Sequence, residues 1–340
     1  MSYASKNWST TPCVVVQKWK NWSTKHGVVD QYKRDTLINV QKDTKVIKGD
    51  SNLHMKISEI NKTKKRTLSF EIFPPKKDTA LDNIDETLAI LCELNPDFIS
   101  VTFGAGGSAN SNKTIEVAKM IKNKYNVEPV VHLTCLHYDK SEIDTFANIL
   151  RDEGIDNILA LRGDRTPKAQ EKDDFKHSTD LLEYLKAKYD FCLLGACYPE
   201  CHPESLNKVD EIKHLKEKVD AGAEMLLSQL FFDNEVFYRF YENCRIGDIN
   251  VPIVPGIMPV INAAQIKRMI SMCNASFPER FQKIIDKYED NKEALFDAGM
   301  SYALSQIIDL LVSDIDGIHL YTMNNPIVAR KICEGIKNIV

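Results

Sequence analysis

The sequence predicts a single (β/α)8 barrel, and three observations carry that prediction. From Arg66 onward, short runs rich in β-branched and aromatic residues alternate with amphipathic stretches of helical period. The first seven runs recur at close to the ~30-residue length of a strand-helix-strand unit. Nearly every run also ends in polar or conformationally special residues while its body is Val, Ile, Leu and Phe, and the carboxyl ends of strands are where a barrel collects its chemistry. The runs end near Phe73, Phe103, Cys135, Gly163, Tyr198, Phe232, Met258 and Met323. Alternation of this kind builds a parallel sheet covered by helices, and the length from Arg66 to Val340 matches the ~250 residues of the closed form. A doubly wound open sheet is the competing architecture; it would not need the eighth run.

The first run, "TLSFEIFPPKK" (Thr67 to Lys77), puts a carboxylate inside an apolar segment that a proline pair then stops. Strands alternate faces, so Leu68, Phe70 and Ile72 share one side and Ser69, Glu71 and Phe73 the other. A wet edge strand or a functional carboxylate would each explain Glu71, and this stretch alone leaves both open. Leu81 to Leu94 supplies the helix that follows. The second run ends in Thr102 and "FGAGGSANSNKT" (Phe103 to Thr114), a glycine-rich turn that is not G-x-G-x-x-G and so is no dinucleotide fingerprint. It still permits close approach of a flat ligand, ahead of a helix over Lys113 to Tyr125. The third run delivers His132 and Thr134, and the fourth delivers "RGD" (Arg162 to Asp164), where Gly163 bares the backbone between opposite charges.

The fifth run leads into "YPECHPES" (Tyr198 to Ser205), whose two X-Pro steps favour a rigid, extended loop that fixes Tyr198 and His202. A helix over Ser205 to Ala221 carries Lys218, and the sixth run carries Gln229, an amide in an otherwise apolar strand that must find partners. "PGIMP" (Pro255 to Pro259) ends the seventh run. An extra helical segment, Pro278 to Val312, delays the eighth, "GIHLYTM", which leads into Asn324 and Asn325.

Composition narrows the partners. With 27% charged residues and a net charge of −4, the 340-residue chain advertises no broad basic surface for nucleic acid. No apolar run looks long enough to span a bilayer and the polar N-terminus lacks a signal-peptide core, so a cytoplasmic protein is expected. Nine cysteines without C-x-x-C pairs fit reduced thiols. Cys197, Cys201 and His202 come closest to a ligand cluster, but their spacing matches no common structural metal site, and no metal is expected. Residues 1–65, with a duplicated "KNWST" (Lys6 to Thr10 and Lys20 to Thr24) and no sustained period, are expected to be an N-terminal extension, disordered or non-catalytic. Met55 is a plausible second start, and residues 1–54 are expected to be dispensable. The barrel is placed at 66–340.

Together these motifs resemble the methylenetetrahydrofolate reductase family, in its short, bacterial-type catalytic form. The resemblance runs from about Arg66 to the C-terminus through "SFEIFPPK", "SVTFGAGGS", "HLTC", "NILALRGD", "YPECHPES", "KVDAGAEMLLSQLFFD", "VPIVPGIMPV" and "GIHLYTMN", in the family's order. It implies FAD as cofactor, with hydride passing from NADH or NADPH to FAD and then to 5,10-methylenetetrahydrofolate, giving 5-methyltetrahydrofolate. An alternative within the family is a flavin subunit that exchanges electrons with a partner protein and runs the reaction oxidatively. A homo-oligomer is expected.

The resemblance also assigns roles. Glu71 is implied as the general acid that opens the substrate's five-membered ring, and Asp164 as the charge that stabilises the cationic intermediate beside the flavin. Thr102, Phe103, Ala105, His132, Arg162, Gly163, Asp164, Ser178, Tyr198, His202 and Lys218 match the cofactor positions. Ser69, Glu71, Asp164, Gln229 and Asn325 match the substrate positions, with Thr102 and Gln229 also near nicotinamide. Three residues depart from the pattern: Phe103 replaces a frequent tyrosine, Glu217 stands where arginine commonly precedes the lysine, and Asn325 where many members have an arginine that contacts folate.

Overall fold

The computed structural model describes residues 55–339 except 76–80, 104–107, 166–168, 265, 267–268 and 270–274; the side chains of 81–82 and 108–111 also lie outside the description. These residues belong to one compact unit, His54–Val340. Strand β1 (Thr67–Ile72) is followed by β2 (Phe98–Val101), β3 (Glu128–Thr134), β4 (Asn157–Leu161), β5 (Cys192–Cys197) and β6 (Met225–Ser228). Then come β7 (Ile253–Val254), β8 (Gly256–Ile257) and β9 (Gly317–Tyr321). Every pairing is parallel, in the order β7-β6-β5-β4-β3-β2-β1-β9-β8.

The two ends of that order are halves of one strand. β7 and β8 flank Pro255, which has no N–H to give to a ladder, while its carbonyl accepts from the His319 backbone N–H at 3.0 Å. One half pairs with β6 and the other with β9, so the sheet closes on itself as eight staves. The expected (β/α)8 barrel is therefore the fold, and the open-sheet alternative falls.

Helices cover the outer face. Following α1 (Ile57–Thr63), they are α2 (Leu81–Cys92), α3 (Ser108–Tyr125), α4 (Lys140–Asp152), α5 (Ser178–Lys188), α6 (Lys208–Asp220) and α7 (Asn234–Ile246). The excursion before the last strand contributes α8 (Glu279–Tyr288) and α9 (Lys292–Val312), and α10 (Pro326–Ile336) ends the fold. Their starts are local chemistry: Asp139, Asn207, Asp233, Asn291 and Asn325 each accept a backbone N–H in the first turn with their side chains. α9 is apolar and, at 21 residues, long enough to cross a membrane, an exception to the sequence reading that found no such run. Its Leu295, Met300, Ala303, Ile307, Leu310 and Leu311 are buried against the fold. Gly299 lets it approach so closely that an added Cβ would fall 1.7 Å from the Val260 carbonyl oxygen.

The period-two reading of β1 holds. Phe70 and Ile72 face the helical layer, and Ser69 and Glu71 face the barrel axis. Around that axis, Phe98, Val130, Leu159, Leu194, Met225, Leu227 and Val254 form an apolar layer. Helix α1, which the sequence reading placed in the extension, packs Ile57 and Ile60 into that same layer and stoppers the barrel's amino end. Each buried isoleucine stabilises the fold by roughly 1.5–3 kcal/mol. Asn157 locks the stopper: its Oδ1 accepts from the Ile57 backbone N–H at 2.8 Å and its Nδ2 donates to the Met55 carbonyl at 3.4 Å.

Candidate active site

Above the apolar layer the barrel interior turns polar on one side, where Ser69, Glu71, Ser100, His132 and His319 of β1, β2, β3 and β9 meet around the axis. Parallel register sets Ser69 beside His319 and Glu71 beside Tyr321 and Ser100. His319, fully buried, meets the Ser69 Oγ through Nδ1 at 2.8 Å and the Ser100 Oγ through Nε2 at 3.5 Å, and stacks on Phe98. The Glu71 Oε2 lies 3.8 Å from His319 Nε2 and 3.6 Å from His132 Nε2, and Glu71 is 8% exposed. Burial holds His132 down to about 4, against the opposing pull of Glu71, so this imidazole is neutral at physiological pH. Its Nε2 is buried without a hydrogen-bond partner, a cost that a ligand at this level would remove.

A second group of side chains lines an open cavity of about 290 Å³ at the carboxyl end: Arg162, Asp164, Arg165, Tyr198, His202, Pro203, Glu204 and Gln229. Gly163, at φ +89, carries the backbone past Thr134, whose Cβ would lie 3.1 Å from any Cβ added there. Arg162 is gripped by Glu204 through two hydrogen bonds, Nη1 to Oε2 at 2.5 Å and Nη2 to Oε1 at 2.9 Å, and donates from Nε to the Gly163 carbonyl at 3.2 Å. The Glu204 carboxylate raises the Arg162 pKa and is itself lowered by Arg162. A guanidinium has five N–H donors, so two remain for a ligand.

The rigid loop forecast from "YPECHPES" is built around His202. Its Nδ1 accepts from the Glu204 backbone N–H at 3.1 Å, which leaves any proton on the neutral ring at Nε2. Burial, and then the Arg162 charge, lower its pKa. The ring sits edge-on against Tyr198, 4.8 Å between centroids, and burial pushes the Tyr198 phenol up to about 12. Gln229 finds a partner within its own strand end, its Oε1 accepting from the Leu230 N–H at 2.9 Å.

The remaining expected positions are dispersed. Thr102 takes part through its backbone, its N–H donating to the Ile72 carbonyl at 3.0 Å and its carbonyl accepting from the Thr114 hydroxyl at 3.0 Å. The Phe103 ring packs edge-on against Tyr138 and Phe146 instead of lining the cavity. Lys218 donates to the Ala196 carbonyl at 3.0 Å with its Nζ 5.9 Å from the Tyr198 ring centre, and burial lowers its pKa. Ser178 opens α5, and the Asn325 Oδ1 is occupied capping α10 through the Ile327 N–H at 3.1 Å. Ala105 lies outside the described residues. Neighbouring Asn324 instead reaches the site's edge, holding the Phe73 N–H and carbonyl at 2.8 Å each. Among the described residues no cluster of His, Cys, Asp and Glu could hold a metal ion, and Cys197 and Cys201 are free thiols.

Sequence reasoning missed two members of this arrangement. His319 was visible as an imidazole two residues before Tyr321 in an apolar strand, the same signal that singled out Glu71. Glu204 lay within a quoted motif, but only the fold shows that it faces Arg162 across 42 positions.

The methylenetetrahydrofolate reductase family model matches residues 56–337. The chain belongs to the methylenetetrahydrofolate reductase family. It is 35% identical to the Escherichia coli 5,10-methylenetetrahydrofolate reductase over 269 residues, covering 79% of this chain and 90% of that one. A probable methylenetetrahydrofolate reductase (NADH) of rice is 35% identical over 285 residues, 79% of this chain and 48% of its own length. The chain thus spans about half the length of the plant family members it matches. Among solved structures, an uncharacterised Clostridium thermocellum protein that binds two copies of 5-methyl-5,6,7,8-tetrahydrofolic acid superposes with a TM-score of 0.57 at 13% identity, covering 83% of this chain and 98% of that one. That likeness supports the barrel alone.

Proposed function

We propose that this chain reduces 5,10-methylenetetrahydrofolate to 5-methyltetrahydrofolate with electrons from NADH or NADPH, using FAD as the resident carrier. The observation that carries the reading is the inward, nearly solvent-free Glu71 in a barrel that matches the methylenetetrahydrofolate reductase family over residues 56–337. The residues suit a flat, anionic dinucleotide. The partnerless Nε2 of His132, the bare backbone at Gly163 and the two unused N–H groups of Arg162 offer polar contacts and close approach. Arg162, Gly163, His132, Tyr198 and His202 would hold FAD, with Thr102, Phe103, Ala105, Ser178 and Lys218 completing its cradle. When bound, FAD supplies a two-electron carrier that accepts hydride from the nicotinamide and gives it to the methylene carbon.

The protein's own share is proton handling and charge. Opening the substrate ring requires a proton on the departing amine nitrogen, and Glu71 is the donor. His319 behind it is held by Ser69, so the carboxyl stands in a fixed polar wall. His132, kept neutral by burial, adds no positive charge that would oppose a cationic intermediate. Asp164 lines the adjoining cavity, and its charge stabilises that cation. Gln229 and Asn325 are the further substrate contacts in this reading.

Anaerobic stopped-flow tests it. The protein should be yellow, should bleach with NADH or NADPH, and should reoxidise with 5,10-methylenetetrahydrofolate. A colourless protein that cannot be loaded with FAD overturns the proposal. Bleaching only by a reduced partner protein would instead identify the flavin subunit.

A further inference from the structure

Four ionisable side chains besides Tyr198 and Glu204 line the cavity at the barrel mouth: Arg162, Asp164, Arg165 and His202. Arg162 is gripped bidentately by Glu204, its side chain is 17% exposed, and its two remaining N–H groups are already proposed for FAD. His202 is half-buried, with one nitrogen accepting from the chain and a pKa lowered by burial and by Arg162. Asp164 is an anion. Arg165 differs from all three. Its side chain is 60% exposed, and its ion pair with Glu171 is loose, 3.3 Å and 3.4 Å from a single nitrogen to the two carboxylate oxygens. Exposed pairs of that kind contribute little to stability and exchange readily.

We infer that Arg165 is a substrate-anion residue: it exchanges Glu171 for a carboxylate or phosphate carried by the substrate and so sets affinity at the cavity mouth. The inference rests on the proposed function, because both substrates of that reaction carry such a group away from the reacting atoms. The folate ends in glutamate carboxylates and the nicotinamide dinucleotide carries phosphates. A guanidinium fork suits either, through paired charge-assisted hydrogen bonds. Arg165 follows Asp164 directly, so one loop presents the charge proposed for the reacting end and the cation for the anionic end.

The test is steady-state kinetics of FAD-loaded Arg165→Gln and Arg165→Lys, with folates bearing one and three glutamates and with NADH and NADPH. The FAD dissociation constant is read separately from flavin fluorescence. The Gln variant should raise one KM by about three- to tenfold with kcat unchanged, the scale of one exposed charge-assisted contact. Lys should recover part of the loss. The same KM should rise with ionic strength in the wild type and lose that dependence in the Gln variant. A rise confined to the folates identifies the carboxylate, and one confined to NADH and NADPH identifies the phosphate. Wild-type KM values for both substrates, or a change in FAD affinity alone, would overturn the inference. Failure of the proposed function is distinguishable, because then the wild type itself turns over neither substrate.

Discussion

Glu71 and His132 approach to 3.6 Å inside the barrel, and the imidazole nitrogen on that approach has no hydrogen-bond partner. A carboxyl group and a neutral imidazole thus face each other across a gap slightly too wide for a hydrogen bond. The pair is set for a third group, and the consequences of removing either member differ.

Replacing the Glu71 carboxyl tests the proposed proton delivery. Glu71→Gln keeps the shape of the side chain and its buried surroundings, so FAD binding and bleaching by NADH or NADPH should persist. Reduction of 5,10-methylenetetrahydrofolate should fall roughly 10²–10⁴-fold, the usual worth of a positioned acid. Single-turnover reoxidation of the reduced flavin reads the two half-reactions separately; unimpaired folate reduction would remove Glu71 from the acid role.

His132 makes stability depend on pH with a defined sign. The unfolded chain protonates this side chain below about 6.5, whereas the folded state resists until about 4. The unfolded state therefore binds more protons between those values, and stability, complete above 6.5, is lost as pH falls towards 4. The loss attributable to His132 is at most about 3–4 kcal/mol, and His202, shifted in the same direction, adds to it. Urea unfolding at several pH values between 4 and 7 should show this slope in the wild type and a shallower one in His132→Asn.

Gly163→Ala strains the cradle in two ways. An L-residue at φ +89 is disfavoured, and the new methyl would press on the Thr134 Cβ at 3.1 Å. The expected cost is about 1–2 kcal/mol of stability, with a weaker FAD affinity measured by fluorescence titration. An alanine variant that binds FAD as tightly as the wild type would show that the backbone there does not meet the cofactor.

Truncations separate the barrel stopper from what precedes it. Removing residues 1–54 leaves Ile57, Ile60 and the Asn157 clasp intact, so the thermal midpoint and FAD content should hold. Removing residues 1–65 takes away α1 and opens the layer of Phe98, Val130 and Leu227 to water, and cooperative unfolding should be lost. Equal behaviour of the two truncations would place the boundary of the folded barrel after α1.

The barrel was legible because its strands and helices obey local periods, and Ser69 and Glu71 kept the face that alternation gave them. The grouping of Arg162 with Glu204, and of Glu71 with His319, was not legible, since neither pair shares a local pattern. α1 escaped notice for a related reason: seven residues carry too little period to declare a helix, and its two isoleucines acquire meaning only against the barrel's amino end. The internal contacts of Phe103 with Tyr138 and Phe146, and of Lys218 with the Ala196 carbonyl, were likewise beyond local pattern, since each joins separate elements of the fold.

The closure of β1 onto β9 joins Ser69 to His319 across 250 positions of sequence. In a chain emerging from the ribosome, Glu71 and His132 are therefore made early, and His319 behind the carboxylate joins them only after β9 is made. Under the proposed function, catalytic competence would appear only when the ring is complete, and the onset of folate reduction during refolding would report barrel closure itself.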